Sequence, residues 1–207
     1  MIKNRNKMHN KIHNKMHDNL NINKSILKET KTLKELDKFQ KYILYFFIFS
    51  FFGWGMEKFY SYIVLGHFTQ RGFLFGPICP IYGFGALILI VFLDKYKGKN
   101  LKLFFYAGII FSFFEYLVSY FLDALFAMHW WDYTNDFMNL NGRISIFYSV
   151  AWGFIAIVFI NYIYPLLKKK INIILSKTPY IVQKYLVIFL TLITAIDAIF
   201  STINYLK

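Results

Sequence analysis

Apolar residues in this chain come in long unbroken runs rather than in alternation. Five runs reach the roughly 20 residues a helix needs to cross a bilayer, at about 42–66, 72–94, 101–127, 144–167 and 185–206. The pattern predicts an all-α, polytopic helical membrane protein with about five transmembrane helices. Residues 1–40 stand apart as a basic, low-complexity tail, and residues 41–207 form the helical transmembrane domain. A repeat of His9, His13 and His17 with Asn and Lys between them runs through the tail. If helical, it aligns the three histidines on one face. Metal binding is one reading of that face. The plainer reading, which we prefer, is a solvated tail that brushes the membrane surface. Some forty polar residues precede the first run. It is also longer than the roughly 7–15-residue apolar core of a cleaved leader.

The second run departs from regular helix. Gly76, Pro77, Pro80 and Gly83 fall within it, with further glycines at 72 and 85. Proline removes a backbone donor and clashes with the preceding turn, and glycine weakens helix by roughly 1 kcal/mol relative to alanine. The run is therefore kinked or broken around 76–80. Irregular backbone at membrane depth survives only inside protein or beside a water-filled cavity, and interrupted helices often mark a transporter's substrate site.

Charge sets an orientation. The net charge is +13, and charged residues make up 17% of the chain, against about 25% in soluble domains. Residues 1–41 carry eleven basic and four acidic side chains. Further lysines cluster at 95–102 and at 168–184, whereas the connections near 66–71 and 128–143 are poor in lysine. By the positive-inside rule the N-terminus and the two lysine-rich connections are cytoplasmic, and the C-terminus lies outside. The composition suggests a bacterial cytoplasmic membrane. Attraction to anionic lipid accounts for the basic tail, so no nucleic-acid partner is expected. Cys79 is the single cysteine, which rules out an intrachain disulfide.

Against this background, the ionisable groups within or beside the runs are candidates for function, because burying them in a membrane is costly. Glu57 and Ser61 share a face of the first run with Gly53, and Glu115, Ser119 and Asp123 share a face of the third. Glu57 lies about 24 Å along a helix from Lys41 and Glu115 about 20 Å from Lys102, in the outer half of the membrane. The chain has three arginines among its 24 basic residues. Two of them, Arg71 and Arg143, open the second and fourth runs, where a planar fork of donors suits a carboxylate or phosphate better than lysine would. The connection from His129 through Trp130, Trp131, Asp132 and Tyr133 to Asn141 and Arg143 combines aromatic faces with polar groups. That combination grips sugars, amines or headgroups, although an interfacial aromatic belt has the same composition. Asp197 is a further carboxylate in the fifth run, and its partner could be a lysine or a backbone group.

The ordered set of motifs resembles a known family. Gly53-Trp54 with Glu57, Arg71-Gly72-Phe73-Leu74, Gly76-Pro77, Cys79-Pro80-Ile81-Tyr82-Gly83, Glu115-Tyr116, Trp130-Trp131-Asp132-Tyr133, and Asn139 with Asn141-Gly142-Arg143 are similar to the bacterial ABC-transporter permease family of the CmpB type. The similarity covers about residues 42–165, with the fifth run outside its strongest part. Gln70, Asp123 and Thr134 depart mildly from the usual Asn, Glu and Ser. The resemblance implies a permease partnered with a separate ATPase subunit. This chain has no Gly-rich phosphate loop ending in Lys-Ser or Lys-Thr. Five spans would need to form a homodimer to make a pathway of ABC size. No cofactor or metal is expected.

Two readings follow. In the first, the protein is a transport protein with an outward-facing polar site. Arg71 and Arg143 would neutralise Glu57, Glu115 or Asp123, or bind an anionic substrate. In the second, it is an intramembrane enzyme acting on lipid or lipid-linked substrates at the outer leaflet. Glu57 or Glu115 would be its general base, His129 a proton shuttle, and the arginines a phosphate clamp. The spans carry no Ser-His-Asp order and no metal-ligand cluster, so transport ranks first. A non-catalytic scaffold with internal ion pairs is the third reading.

Overall fold

A computed structural model describes Met16 and residues 20–24, 36–69 and 72–206. Most of the tail, including the three histidines, and Gln70 with Arg71 lie outside the described residues. Helix α1 spans Lys38–Leu65. It starts at a reciprocal cap in which Asp37 accepts from the Gln40 amide at 2.7 Å and Gln40 accepts from the Asp37 amide at 3.2 Å. Helix α2, Pro80–Ile88, continues through a π turn at Leu89–Leu93 and a short 3-10 turn at Asp94–Tyr96. Helix α3 is Asn100–Phe126. Helices α4, Ile146–Val158, and α5, Tyr164–Lys177, join through a second π turn at Phe159–Ile163. Helix α6 is Tyr180–Tyr205.

The molecule is an all-helical membrane protein. Among the described residues, three helices are long and apolar enough to cross a bilayer: Asn100–Phe126, Ile146–Lys177 and Tyr180–Tyr205. Helix α1 matches them in length at 28 residues, but Glu57 and Lys58 lower its mean hydropathy. The run 72–94 is not one helix. Residues 72–79 are bent, non-helical backbone, and Pro80 opens α2 from its first turn, a position where the missing amide costs nothing. The continuous helical stretch Ile146–Lys177 outlasts its apolar run by ten residues, since lysine is a good helix former in water.

The packing reveals an internal repeat. Helices α1 and α2 form one hairpin, and α3 and α4 form another. The buried positions Tyr45, Phe49, Gly53 and Ser61 of α1 recur 58 residues on as Leu103, Ala107, Phe111 and Ser119 of α3. Glu57 and Glu115 occupy the same place in the two series. In the returning helices, Gly83, Ala86, Leu89 and Ile90 are buried. They recur 70 residues on as Gly153, Ala156, Phe159 and Ile160. Both π turns begin at the corresponding residue.

The contacts repeat too. A Cβ on Gly83 would lie 2.7 Å from the Phe46 carbonyl, and one on Gly153 would lie 2.9 Å from the Phe104 carbonyl, so glycine lets each helix pair close. The shared core gathers at the lysine-rich end. There Phe49 packs on Phe159 at 5.1 Å and Tyr45 on Tyr164 at 5.8 Å, beside Leu93, Leu103 and Ile160, which are fully buried. Helix α6 has no counterpart in the repeat and is mostly uncovered, with 11% of its apolar window buried.

Candidate functional site

Each hairpin holds its glutamate near the end opposite the lysine-rich core, and it does so through the corresponding aromatic residue. In the first, Tyr82 donates its hydroxyl to Glu57 Oε1 at 2.5 Å. Gly53 makes room for that ring, since any Cβ there would collide with it. In the second, Trp152 donates its indole N–H to Glu115 Oε2 at 3.2 Å, and its ring stacks on Phe111 at 4.8 Å.

The connections differ, and so do the acids. Glu57 and Tyr82 are 25 residues apart, whereas Glu115 and Trp152 are 37 apart. The twelve additional residues let the longer connection fold back. Its Tyr133 donates to Glu115 Oε1 at 2.9 Å and stacks on Tyr148 at 4.2 Å. Glu115 is thus buried, 8% exposed, with a donor on each oxygen. Glu57 is half-buried, and its second oxygen accepts no hydrogen bond among the described residues.

The connection 128–145 spends Asp132 and Asn139 on its own loop. Asp132 Oδ1 accepts from the Thr134 amide at 2.9 Å and hydroxyl at 2.5 Å, and these bonds hold its carboxyl below the usual carboxylate range. Asn139 donates to the carbonyls of Thr134 and Asp136 and accepts from the Gly142 amide. Gly142, at φ 67°, sits where a Cβ would meet Asp132 Oδ1 at 2.8 Å. Burial, and then the charge of Glu115, push the Tyr133 hydroxyl well above the usual tyrosine range.

Arg143 anchors this connection to α3. It donates to Asp123 Oδ2 at 2.6 Å and to Ser119 Oγ at 3.1 Å. Its guanidinium lies over the rings of Tyr116 and Tyr120 at 6.0 and 5.7 Å. Asn141 donates to the Tyr116 hydroxyl, and Trp131 donates to the Arg143 carbonyl. His129 is exposed, with its Nε2 3.8 Å from Asp123. The expected residues therefore divide between two places. Glu115, Asp123, Asp132, Tyr133, Asn141 and Arg143 cluster in the second hairpin, while Glu57 sits in the first.

The broken segment finds its partners outside its own helix. The Cys79 amide donates to the Ser50 carbonyl at 3.0 Å. The Phe75 and Gly76 amides donate to Asp197 Oδ1 at 3.1 Å and Oδ2 at 2.9 Å. Among the described residues, Asp197 is thus met by backbone amides and by the Ser201 hydroxyl, not by lysine. Phe73 stacks on Tyr205 at 5.2 Å, and Phe126 and Trp130 complete that aromatic cluster. On α1, the Lys58 ammonium donates to the Thr69 carbonyl at 2.6 Å and lies over Trp54. Tyr82, Trp152 and the role of Asp197 escape a reading of motifs. The available signal is the recurrence of aromatic-glycine pairs, Tyr82-Gly83 and Trp152-Gly153, 70 residues apart.

Residues 44–202 match the family model described as "Putative ABC-transporter type IV". The match covers most of the chain, and the protein belongs to this family. It reaches 202, so α6 and Asp197 fall within the family unit, beyond the limit near 165 expected from motifs. No curated protein and no solved structure matches.

Proposed function

We propose that this member of the ABC-transporter type IV family is the integral membrane subunit of a transport system. Its outward-facing polar site is formed by Glu57, Tyr82 and the unwound segment 72–79. The observation that carries this reading is the non-helical backbone at 72–79, set between two antiparallel helices and beside a carboxylate with one oxygen that accepts no hydrogen bond among the described residues. Such backbone is costly in lipid and persists inside protein or beside a water-filled cavity, and interrupted helices form the substrate sites of many transporters. With the lysine-rich ends cytoplasmic, the Glu57 end and the connection 128–145 face outward. The energy source is an ATPase on a separate chain, and a second copy of this chain completes the pathway.

The reading of an outer-leaflet enzyme fits less well. Arg143, which would clamp phosphate, is committed to Asp123 and Ser119 and is 16% exposed. The test is a deletion strain complemented with wild type, Glu57→Gln or Glu115→Gln, followed by profiling of soluble solutes and lipids. Transport predicts that deletion and Glu57→Gln share one altered soluble solute on the two sides of the membrane. A change confined to one lipid species would contradict it.

A further inference from the structure

We propose that the backbone amides of Phe75 and Gly76 form a binding site for a small carboxylate, which in this structure is filled by the chain's own Asp197. The proposal concerns what the unwound segment binds, and it stands apart from whether Glu57 serves transport.

The geometry is that of a chelated carboxylate. Two consecutive amides each take one oxygen of the same group, at 3.1 and 2.9 Å. Adjacent N–H groups that converge in this way form anion-binding concavities. Gly76 keeps the approach open, because a Cβ there would stand 3.0 Å from Oδ2. Among the described residues, the other partner of the Asp197 carboxylate is the Ser201 hydroxyl at 3.2 Å, and no basic side chain among them pairs with it. The site therefore recognises a carboxylate through backbone donors.

The occupant comes from an element that can leave. Helix α6 lies against the rest of the molecule with little burial. Its lysine-rich end is pinned by Gln183, which donates to the carbonyls of Leu175 and Thr178 at 2.7 Å. Its far end is held by Asp197 and by Tyr205 among Phe73, Phe126 and Trp130. Asp197 is thus a tethered ligand on a lightly packed helix. An external carboxylate that takes its place satisfies the same two amides, and α6 is then joined to the segment only through the Tyr205 cluster.

Chemical rescue tests this. The full chain is purified in nanodiscs as wild type, Asp197→Ala and Gly76→Ala, and melted in sodium formate or in sodium chloride of equal ionic strength. We expect Asp197→Ala to lose about 5 °C and to regain most of it in formate but not in chloride. Formate should bind Asp197→Ala at least about tenfold more tightly than wild type, where the tethered carboxylate competes at high effective concentration. Gly76→Ala should lose stability without rescue. If Asp197→Ala folds only when formate is present throughout purification, the proposal is supported. Equal response to both salts, or a variant that no carboxylate restores, overturns it.

Discussion

The two hairpins share one scaffold and treat the same residue differently. Glu57 and Glu115 occupy equivalent places, each held by the aromatic residue that precedes the close-contact glycine of the returning helix. In the second hairpin the longer connection adds Tyr133, which covers the carboxylate and uses its remaining oxygen. In the first, the shorter connection is unwound, and its amides turn to Asp197 instead. A carboxylate whose oxygens are all matched to donors holds structure. One with an oxygen uncommitted can take a proton or a ligand. On the proposed reading, the saturated copy serves structure, and the copy with an oxygen unmatched among the described residues serves chemistry.

The largest expected effect comes from emptying the saturated site. Glu115→Ala leaves the Tyr133 hydroxyl and the Trp152 indole without their acceptor, and should cost about 2–4 kcal/mol in unfolding. Glu57→Ala orphans one hydroxyl beside a half-open site and should cost about 1 kcal/mol. Equal losses would erase the distinction. The glycines test whether the scaffold is truly shared. Gly83→Ala and Gly153→Ala should each cost about 1–3 kcal/mol, because each forces a Cβ against a facing carbonyl. A loss in one without the other would break the equivalence.

Smaller effects concern the covering connection. Arg143→Lys keeps the charge but gives up the paired contacts to Asp123 and Ser119. Proteolysis of the 128–145 connection should quicken, while Glu57-dependent activity persists. The pH dependence has two signs. Asp132 has a lowered folded pKa, so its contribution is present above the ordinary carboxylate range and is lost as pH falls through the folded value. Tyr133 has a raised folded pKa, so its contribution is full below the ordinary tyrosine value near 10 and is lost as pH rises above it. Hydrogen exchange of 128–145 should therefore rise at both extremes, and Tyr133→Phe should abolish the alkaline limb alone.

The helices were legible because membrane spans need long apolar runs, and the break at Gly76-Pro77 was legible because those residues oppose helix by local sterics. The costly residues were legible as a set. Their partners were not, because pairing depends on how the connections return. Arg143 meets Asp123 across 20 residues, and Asp197 meets the amides of Phe75 and Gly76 across 122 and 121. Composition cannot show that Asp132 and Asn139 bind their own loop rather than a ligand. The repeat was hidden for a related reason. Packing keeps burial positions while allowing Phe49 to become Ala107 and Gly53 to become Phe111.

The most direct test compares Glu57→Gln and Glu115→Gln in the same deletion strain and the same purified preparations. The account predicts that Glu57→Gln melts within a degree or two of wild type, roughly 0.5 kcal/mol, yet fails to restore the soluble-solute profile. It predicts that Glu115→Gln melts lower and restores the profile in proportion to the folded protein that remains. A stable, inactive Glu115→Gln beside an active Glu57→Gln would contradict it.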